Sequence, residues 1–534
     1  MTSTATGRPA AALVVRGVIS LAVALIFAIL LWRAVQRPLW IDELMAMINY
    51  PIGSLSGLFA PLPYYSQAAP PLFNLICSAI AALAPAMARL VLAVAIFGGL
   101  AALAWVAFRR WWAPVVVIAY PIAIPSLLAY ATELKYYGTE TLGIAAITAW
   151  FVMRDPAKPL RWRDVVVLIV GMACGISTVI LSALALGLAG LLSLRERRRI
   201  GLSELAMAVV FGAVLIGYYL AIRFGTSIQI HNYPGSYGGK GAVAGARGFL
   251  HAIDGLLTSR GTLLALAAAV IAWFGDARSR RLLLLAACAL VVLLGLAATN
   301  LYPASEPRHV AWINGIVLFL VLNAVATLIA RGQTPATLGV AALMALIAAS
   351  TLPSAIQRIR DPDAGTRAAS DRVIAWLATQ PPSPVGMWLG TQAAVQYYRG
   401  FVPTIGRHRY FGAVDQSSVL VPDTLMAKSF LAQPYDVIAN TIEARRTRPG
   451  GYANRVVYRL VGDYRGAARS MLSEAPRGRP FYIATIHADL EAKDPRNLRR
   501  RDGLLNALAE RHCRYDPVLT ARSAFVLRVS CPAA

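Results

Sequence analysis

Long apolar runs separated by short polar breaks fill the first two thirds of the chain, and a helix needs about 20 such residues to cross a bilayer. Runs at 11–32, 90–108, 115–129, 142–152, 165–178, 180–194, 202–222, 263–273, 282–298, 310–330 and 338–350 predict about eleven crossings. A further apolar run, Pro71 to Ala84, would reach only about 21 Å as a helix, short of the roughly 30 Å hydrocarbon core. It is expected to lie along the outer surface rather than to span. After Ser350 the pattern changes, and from Ile356 the chain is polar, with Pro and Arg throughout. Helices are expected over 367–379, 392–398 and 498–511, and strands over 385–389, 481–485 and 525–529. Strands alternating with helices predict a small α/β domain. The fold class is therefore a polytopic α-helical membrane protein with a C-terminal soluble α/β domain. Residues 1–353 are the membrane part, with an outer loop at 33–89, and 354–534 are the soluble domain. No internal repeat or low-complexity tract is seen.

Composition agrees with this reading. The 534 residues are 57% hydrophobic and only 14% charged, too little polar surface for a soluble protein of this size. The net charge of +25 does not mark nucleic-acid binding, because no recognition motif accompanies it. Instead, arginine and lysine gather in short loops, as the positive-inside rule expects. Arg8 and Arg16, Arg109-Arg110, the Arg154–Arg163 cluster, the Arg195–Arg199 cluster and Arg278–Arg281 all fall on one side if the amino terminus is cytoplasmic. The loop 33–89, residues 132–139, 224–260 and 299–308 and the whole tail then lie outside. Abundant Ala and Arg with short loops suggest a bacterial inner membrane and a periplasmic tail. The first run, 11–32, lacks a clear cleavage site and is expected to remain as a helix.

Five cysteines are present. Cys77, Cys174 and Cys288 lie in apolar runs, where cysteine serves as a small core residue. Cys513 and Cys531 bracket the final strands, eighteen residues apart. An outer compartment permits a disulfide between them, worth roughly 3 kcal/mol in the chain-entropy model. Two free thiols, one in each strand, are the alternative. No CxxC or His/Cys metal spacing occurs.

Three polar segments fall on the outer face. Asp42-Glu43 follows the first span. A carboxylate at the membrane rim can meet both a lipid-borne donor and a water-borne acceptor, and can remove a proton from a hydroxyl within hydrogen-bond reach. Tyr130-Ala131-Thr132-Glu133-Leu134-Lys135-Tyr136-Tyr137 places Glu133 and Lys135 among aromatics. Lys135 can bind phosphate as a point charge. Glu133 can orient it, bind a sugar hydroxyl or help to hold a metal. Tyr302-Pro303-Ala304-Ser305-Glu306-Pro307-Arg308-His309 offers Arg308, whose fork suits two phosphate oxygens. Taken singly, the three also fit a capping acidic pair, an aromatic belt with a snorkelling lysine, and a charged helix end.

Together, these segments carry a resemblance. An acidic pair after the first span, Pro70-Pro71-Leu72, Arg89 opening the next span, the Tyr-x-x-Glu-x-Lys-Tyr segment and a late Tyr-Pro…Arg loop occur in this order. The layout from Ala11 to Ala330 resembles the GT-C glycosyltransferases. It is most similar to the branch of lipopolysaccharide galacturonosyltransferases and lipid A aminoarabinose transferases, with protein O-mannosyltransferases as distant relatives. The resemblance implies Asp42 as catalytic base, with Glu43 its neighbour in the site. It implies a donor sugar carried on a polyprenyl phosphate, held by Lys135 and Arg308, with Glu133 at the second acidic position. Two departures stand out. Ala69 occupies the place before the two prolines where the family has His or Lys, which leaves Gln67 or Tyr65 to substitute. Lys135 stands where many relatives have Arg. The implied reaction is a single, inverting displacement onto an acceptor hydroxyl of a glycan, glycolipid or protein. No nucleotide loop is required, and a divalent cation is left open. A lipid or glycan transporter, or an envelope assembly scaffold without catalysis, is the alternative. Transporters commonly show paired repeats around a midplane site, which this chain does not.

Overall fold

The computed structural model describes residues 8–59, 62, 69–197, 199–232, 241–299, 301–303, 306–332, 369–412, 464–491 and 495–533, with isolated positions at 349, 353, 356 and 357. Ten of the eleven predicted runs carry a helix; the last, 338–350, lies outside the described residues apart from position 349. In order these are α1 (Arg8–Gln36), α4 (Pro85–Phe108), α5 (Trp112–Ala123) with α6 (Pro125–Ala131), α7 (Tyr137–Met153), α8 (Trp162–Ala173), α9 (Ser177–Arg197), α10 (Leu202–Asn232), α11 (Ala242–Trp273), α12 (Ala277–Ala298) and α13 (Ile313–Ala330). Two short helices, α2 (Ile41–Met47) and α3 (Pro71–Ile80), lie in the loop after α1. Among the described residues seven helices are long and apolar enough to cross a membrane, or eight if α5 and α6 count as one bent span. The chain is thus a multi-pass helical membrane protein. The apolar helix α3 has only 10 residues, in keeping with a segment that does not span.

The lower count has physical causes. The run at 115–129 breaks at Ile124-Pro125, where the pre-proline residue is driven to φ −124° and ψ 85° and the chain turns by 96°. Helices α7 and α8 have 17 and 12 residues. Helix α7 packs against α4, α8, α9, α12 and α13 and is buried on nearly all sides, so protein rather than lipid surrounds it. Gly143 makes this approach feasible, since a Cβ there would stand 2.5 Å from Cys174 Cβ. By contrast, α1 turns Val18, Leu21, Leu25 and Ile29 outward, as a lipid-facing helix does.

The basic loops meet at one end of the bundle. Arg281 donates to Arg154 O, Arg154 Nη1 to Ser193 Oγ at 2.9 Å, and Arg197 Nη2 to Glu204 Oε1 at 2.7 Å. The segments carrying Asp42, Lys135 and Arg308 meet at the opposite end.

The tail forms a five-stranded sheet from β1 (Pro384–Met387), β2 (Arg409–Phe411), β3 (Phe481–Thr485), β4 (Arg514–Ala521) and β5 (Ala524–Ser530), ordered β2-β1-β3-β5-β4. Strand β1 runs parallel to β2 and β3, while β5 is antiparallel to β3 and β4. Helices α14 (Ser370–Thr379), α15 (Thr391–Tyr398), α16 (Tyr464–Ser473) and α17 (Pro495–Glu510) complete it. Side chains alternate along a strand, and here both faces are buried. Phe481, Ile483, Phe525, Leu527 and Val529 join a core with Leu504 and Met471. Ala484, Ala524 and Val526 face the other way, into the core that continues through α14 and α15 to the membrane helices. The register Arg514↔Ser530 brings Cys513 beside Cys531, and the two form a disulfide. Cys77 and Cys174 are buried free thiols.

The sheet is braced against the membrane part. Ser370 Oγ donates to Leu39 O at 2.5 Å, and α15 packs on α2. Gly390, at φ +77°, lies beside Ile41; a Cβ at this position would come within 2.7 Å of Ile41 Cδ1.

Candidate active site at the membrane rim

Helix α2 follows the extended Trp40, whose N–H is accepted by Glu43 Oε2 at 3.2 Å. A glutamate at the third helical position reaching back in this way closes the amino-terminal turn. Glu43 is fully buried, and further donors converge on it. Arg89 Nε donates to Oε1 at 3.0 Å, Arg89 Nη2 donates to Oε2, and Leu134 N donates to Oε1 at 2.8 Å. The Arg89 fork also donates to the carbonyls of Arg37 and Pro38. A single buried ion pair therefore ties α2, α4, the exit from α1 and the segment before α7 together. Burial pushes the Glu43 carboxyl up, but Arg89, Arg37 and the hydrogen bonds outweigh it and hold it below the usual carboxylate range.

Asp42, one residue earlier, faces elsewhere. Its side chain is 28% exposed, and Oδ2 accepts from Arg308 Nη1 at 2.7 Å. Arg308 Nε lies 2.9 Å from Glu306 Oε2, and the guanidinium sits 5.3 Å from the centre of the Trp40 ring. Burial lowers the Arg308 pKa, but Asp42 opposes it, and the net effect is a rise, so the guanidinium stays charged. Lys135 is buried within electrostatic range of Asp42, Arg308, Glu133 and Glu43. Burial pushes its ammonium down, the neighbouring carboxylates push back, and the result lies below the ordinary lysine value. Glu133 is buried, with Oε1 3.8 Å from Arg37 Nη2.

The loop carrying Arg308 is held by a tyrosine. Tyr302 Oη donates to His309 O at 2.6 Å, so its remaining capacity accepts from Trp312 Nε1 at 2.8 Å and Ser177 Oγ at 2.6 Å. Ser177 N in turn donates to Glu140 Oε1 at 2.5 Å. The sequence reading gave no role to Tyr302, Ser177, Glu140 or Trp312. A glutamate at the mouth of an apolar run, as Glu140 is, was the available signal.

Of the residues expected at the site, Asp42, Lys135 and Arg308 come together, with Glu133 beside them. Glu43 is adjacent but enclosed. Tyr65 and Gln67 lie outside the described residues, and Ala69 packs against the core while its carbonyl accepts from Asn74 Nδ2 at 3.2 Å. Among the described residues no three or more His, Cys, Asp or Glu side chains are grouped so as to hold a metal ion.

No family model matches this sequence, and no curated protein matches it. Solved structures do. Apo ArnT from Cupriavidus metallidurans superposes with a TM-score of 0.52 at 15% identity, over 97% of this chain and 98% of that one. The same protein bound to undecaprenyl phosphate superposes with a TM-score of 0.52 at 14% identity, over 96% and 98%. The likeness covers the membrane helices and the tail alike, and shows that the fold is that of ArnT.

Proposed function

We propose that this chain is a glycosyltransferase that moves a sugar from a polyprenyl-phosphate donor to an acceptor hydroxyl at the outer face of the bacterial inner membrane. The observation that carries the reading is a partly exposed carboxylate, Asp42, held 2.7 Å from Arg308 with Lys135 close by. One base and two cations at a membrane rim suit displacement of a sugar from a phosphate. The solved ArnT complex with undecaprenyl phosphate supports a lipid of that class.

The chemistry follows from charge. The acceptor O–H gives its proton to Asp42 as its oxygen attacks the anomeric carbon. The bond from that carbon to the phosphate oxygen breaks, and the electron pair leaves with the phosphate. Negative charge grows on the phosphate in the transition state, where Arg308 and Lys135 stabilise it. A single displacement inverts the anomeric centre. Arg308 serves twice, pairing with Asp42 before the donor arrives and then receiving the donor's charge. Glu43 is assigned the role of a latch rather than of a second acid, since its oxygens are already occupied by four N–H donors.

The basic loops at the far end of the bundle support a cytoplasmic amino terminus, with residues 354–534 as a periplasmic domain. The test is release of polyprenyl phosphate and transfer of labelled sugar from a panel of polyprenyl-phosphate sugars by purified protein, compared with Asp42→Asn. Transfer that persists unchanged in Asp42→Asn would remove Asp42 as the base.

A further inference from the structure

His309 follows Arg308 in a short 3-10 turn, Pro307–Val310, and its backbone is fixed at both polar atoms. Its N–H donates to Glu306 O at 3.0 Å and its carbonyl accepts from Tyr302. In the ring, Nδ1 is buried and meets no hydrogen-bond partner among the described residues. A buried polar atom without a partner is costly, and each such atom in a folded protein calls for an explanation. The charged groups that act on this ring are Arg308, Asp42 and Lys135, the residues of the proposed site.

We propose that His309 is a further donor-binding residue, its Nδ1–H completing, with Arg308 and Lys135, the set of groups that hold the phosphate of the polyprenyl-phosphate donor. The inference rests on the glycosyltransferase reading and extends it. Two cations beside the ring draw an anion into this space. Toward an anion a nitrogen lone pair is repelled and an N–H is attracted, so the phosphate selects the tautomer with its proton on Nδ1. Burial and then Arg308 press the imidazole pKa down to about 3, so the ring is neutral at working pH and adds a directed donor without a third positive charge. A neutral donor near two cations avoids the repulsion that a third cation would bring.

The test is direct binding of undecaprenyl phosphate to the full-length protein in detergent, comparing wild type with His309→Ala, His309→Asn and His309→Gln. The asparagine amide nitrogen falls near the position of Nδ1, whereas that of glutamine falls near Nε2. Loss of one hydrogen bond to a charged group predicts roughly ten-fold weaker binding for alanine and glutamine. Asparagine should stay within about three-fold of wild type on the same reasoning. Equal binding by all four proteins would overturn the proposal, as would rescue by glutamine but not by asparagine. If alanine does not fold, the asparagine–glutamine pair carries the test. Absence of binding by the wild-type protein would overturn the donor reading itself.

Discussion

Asp42 and Glu43 are neighbours in sequence, each faces an arginine, and they live in different media. Neighbouring residues on a helix point about 100° apart, and here that angle separates the protein interior from the rim. Glu43 meets Arg89 with both side chains fully buried, whereas Asp42 and Arg308 are 28% and 19% exposed. A buried pair saturated with hydrogen bonds is strongly destabilising to break. A pair with open sides can exchange partners. The difference teaches that the members of an acidic pair need not be equivalent: one can fix the helix that presents the other.

Substitutions can break or sharpen this contrast. The largest effect on transfer is expected from Asp42→Asn, which keeps a hydrogen-bond acceptor for Arg308 but cannot take the proton. Activity should fall by roughly 10²- to 10⁴-fold, with the thermal midpoint nearly unchanged. Arg308→Ala comes next, with turnover lower by roughly 10²- to 10³-fold and weaker donor binding, because the charge it meets grows during the reaction. Arg308→Lys should recover part of this, since it restores the charge without the fork.

Glu43 should behave in the opposite sense. Glu43→Ala leaves Arg89 buried without its carboxylate and should cost about 3–5 kcal/mol of stability, read as a lower melting temperature. Glu43→Gln should melt early yet keep transfer within about ten-fold of wild type at permissive temperature, since the proposed mechanism gives the proton to Asp42. Its pH dependence follows from the lowered carboxyl pKa. The stabilisation is fully present above the unfolded value of about 4.3 and is lost as pH falls through the lower folded value. Melting curves between about pH 3 and pH 7 should therefore converge for wild type and Glu43→Gln only at the acid end. The smallest effect on transfer is expected from a Cys513→Ser, Cys531→Ser double variant. Mass spectrometry of unreduced wild-type protein should find the two peptides linked, and the double variant should lose roughly 3 kcal/mol from the tail while transfer is retained.

The sequence made the helical runs legible, because lipid imposes hydrophobic length directly. The disulfide and the strand Phe481–Thr485 were legible too. The enclosure of Glu43 by Arg89, while Asp42 meets Arg308, was not. It is set by arginines 266 and 46 residues away, and no local pattern records which arginine meets which carboxylate. The bend at Pro125 was written in Ile124-Pro125 but masked by the unbroken hydrophobicity around it. The strand beside Cys513 was expected but given no bounds, because β4 is a sheet edge, mostly exposed and interrupted by Pro517, and lacks the alternation that marks a half-buried strand.

The hydrogen bond from Ser370 to Leu39, across 331 residues, also sets a schedule. At translation rates of about 5–20 residues per second, roughly 15–70 seconds separate synthesis of the acidic helix from arrival of the segment that braces it. During that interval the first helices are already inserted, but α2 lacks α15 and the sheet. A nascent chain stalled before residue 369 would carry Asp42, Lys135 and Arg308 in the bilayer without the support that orients α2. On this order of synthesis the orientation of α2, and with it the placing of Asp42, is completed only after the tail has folded.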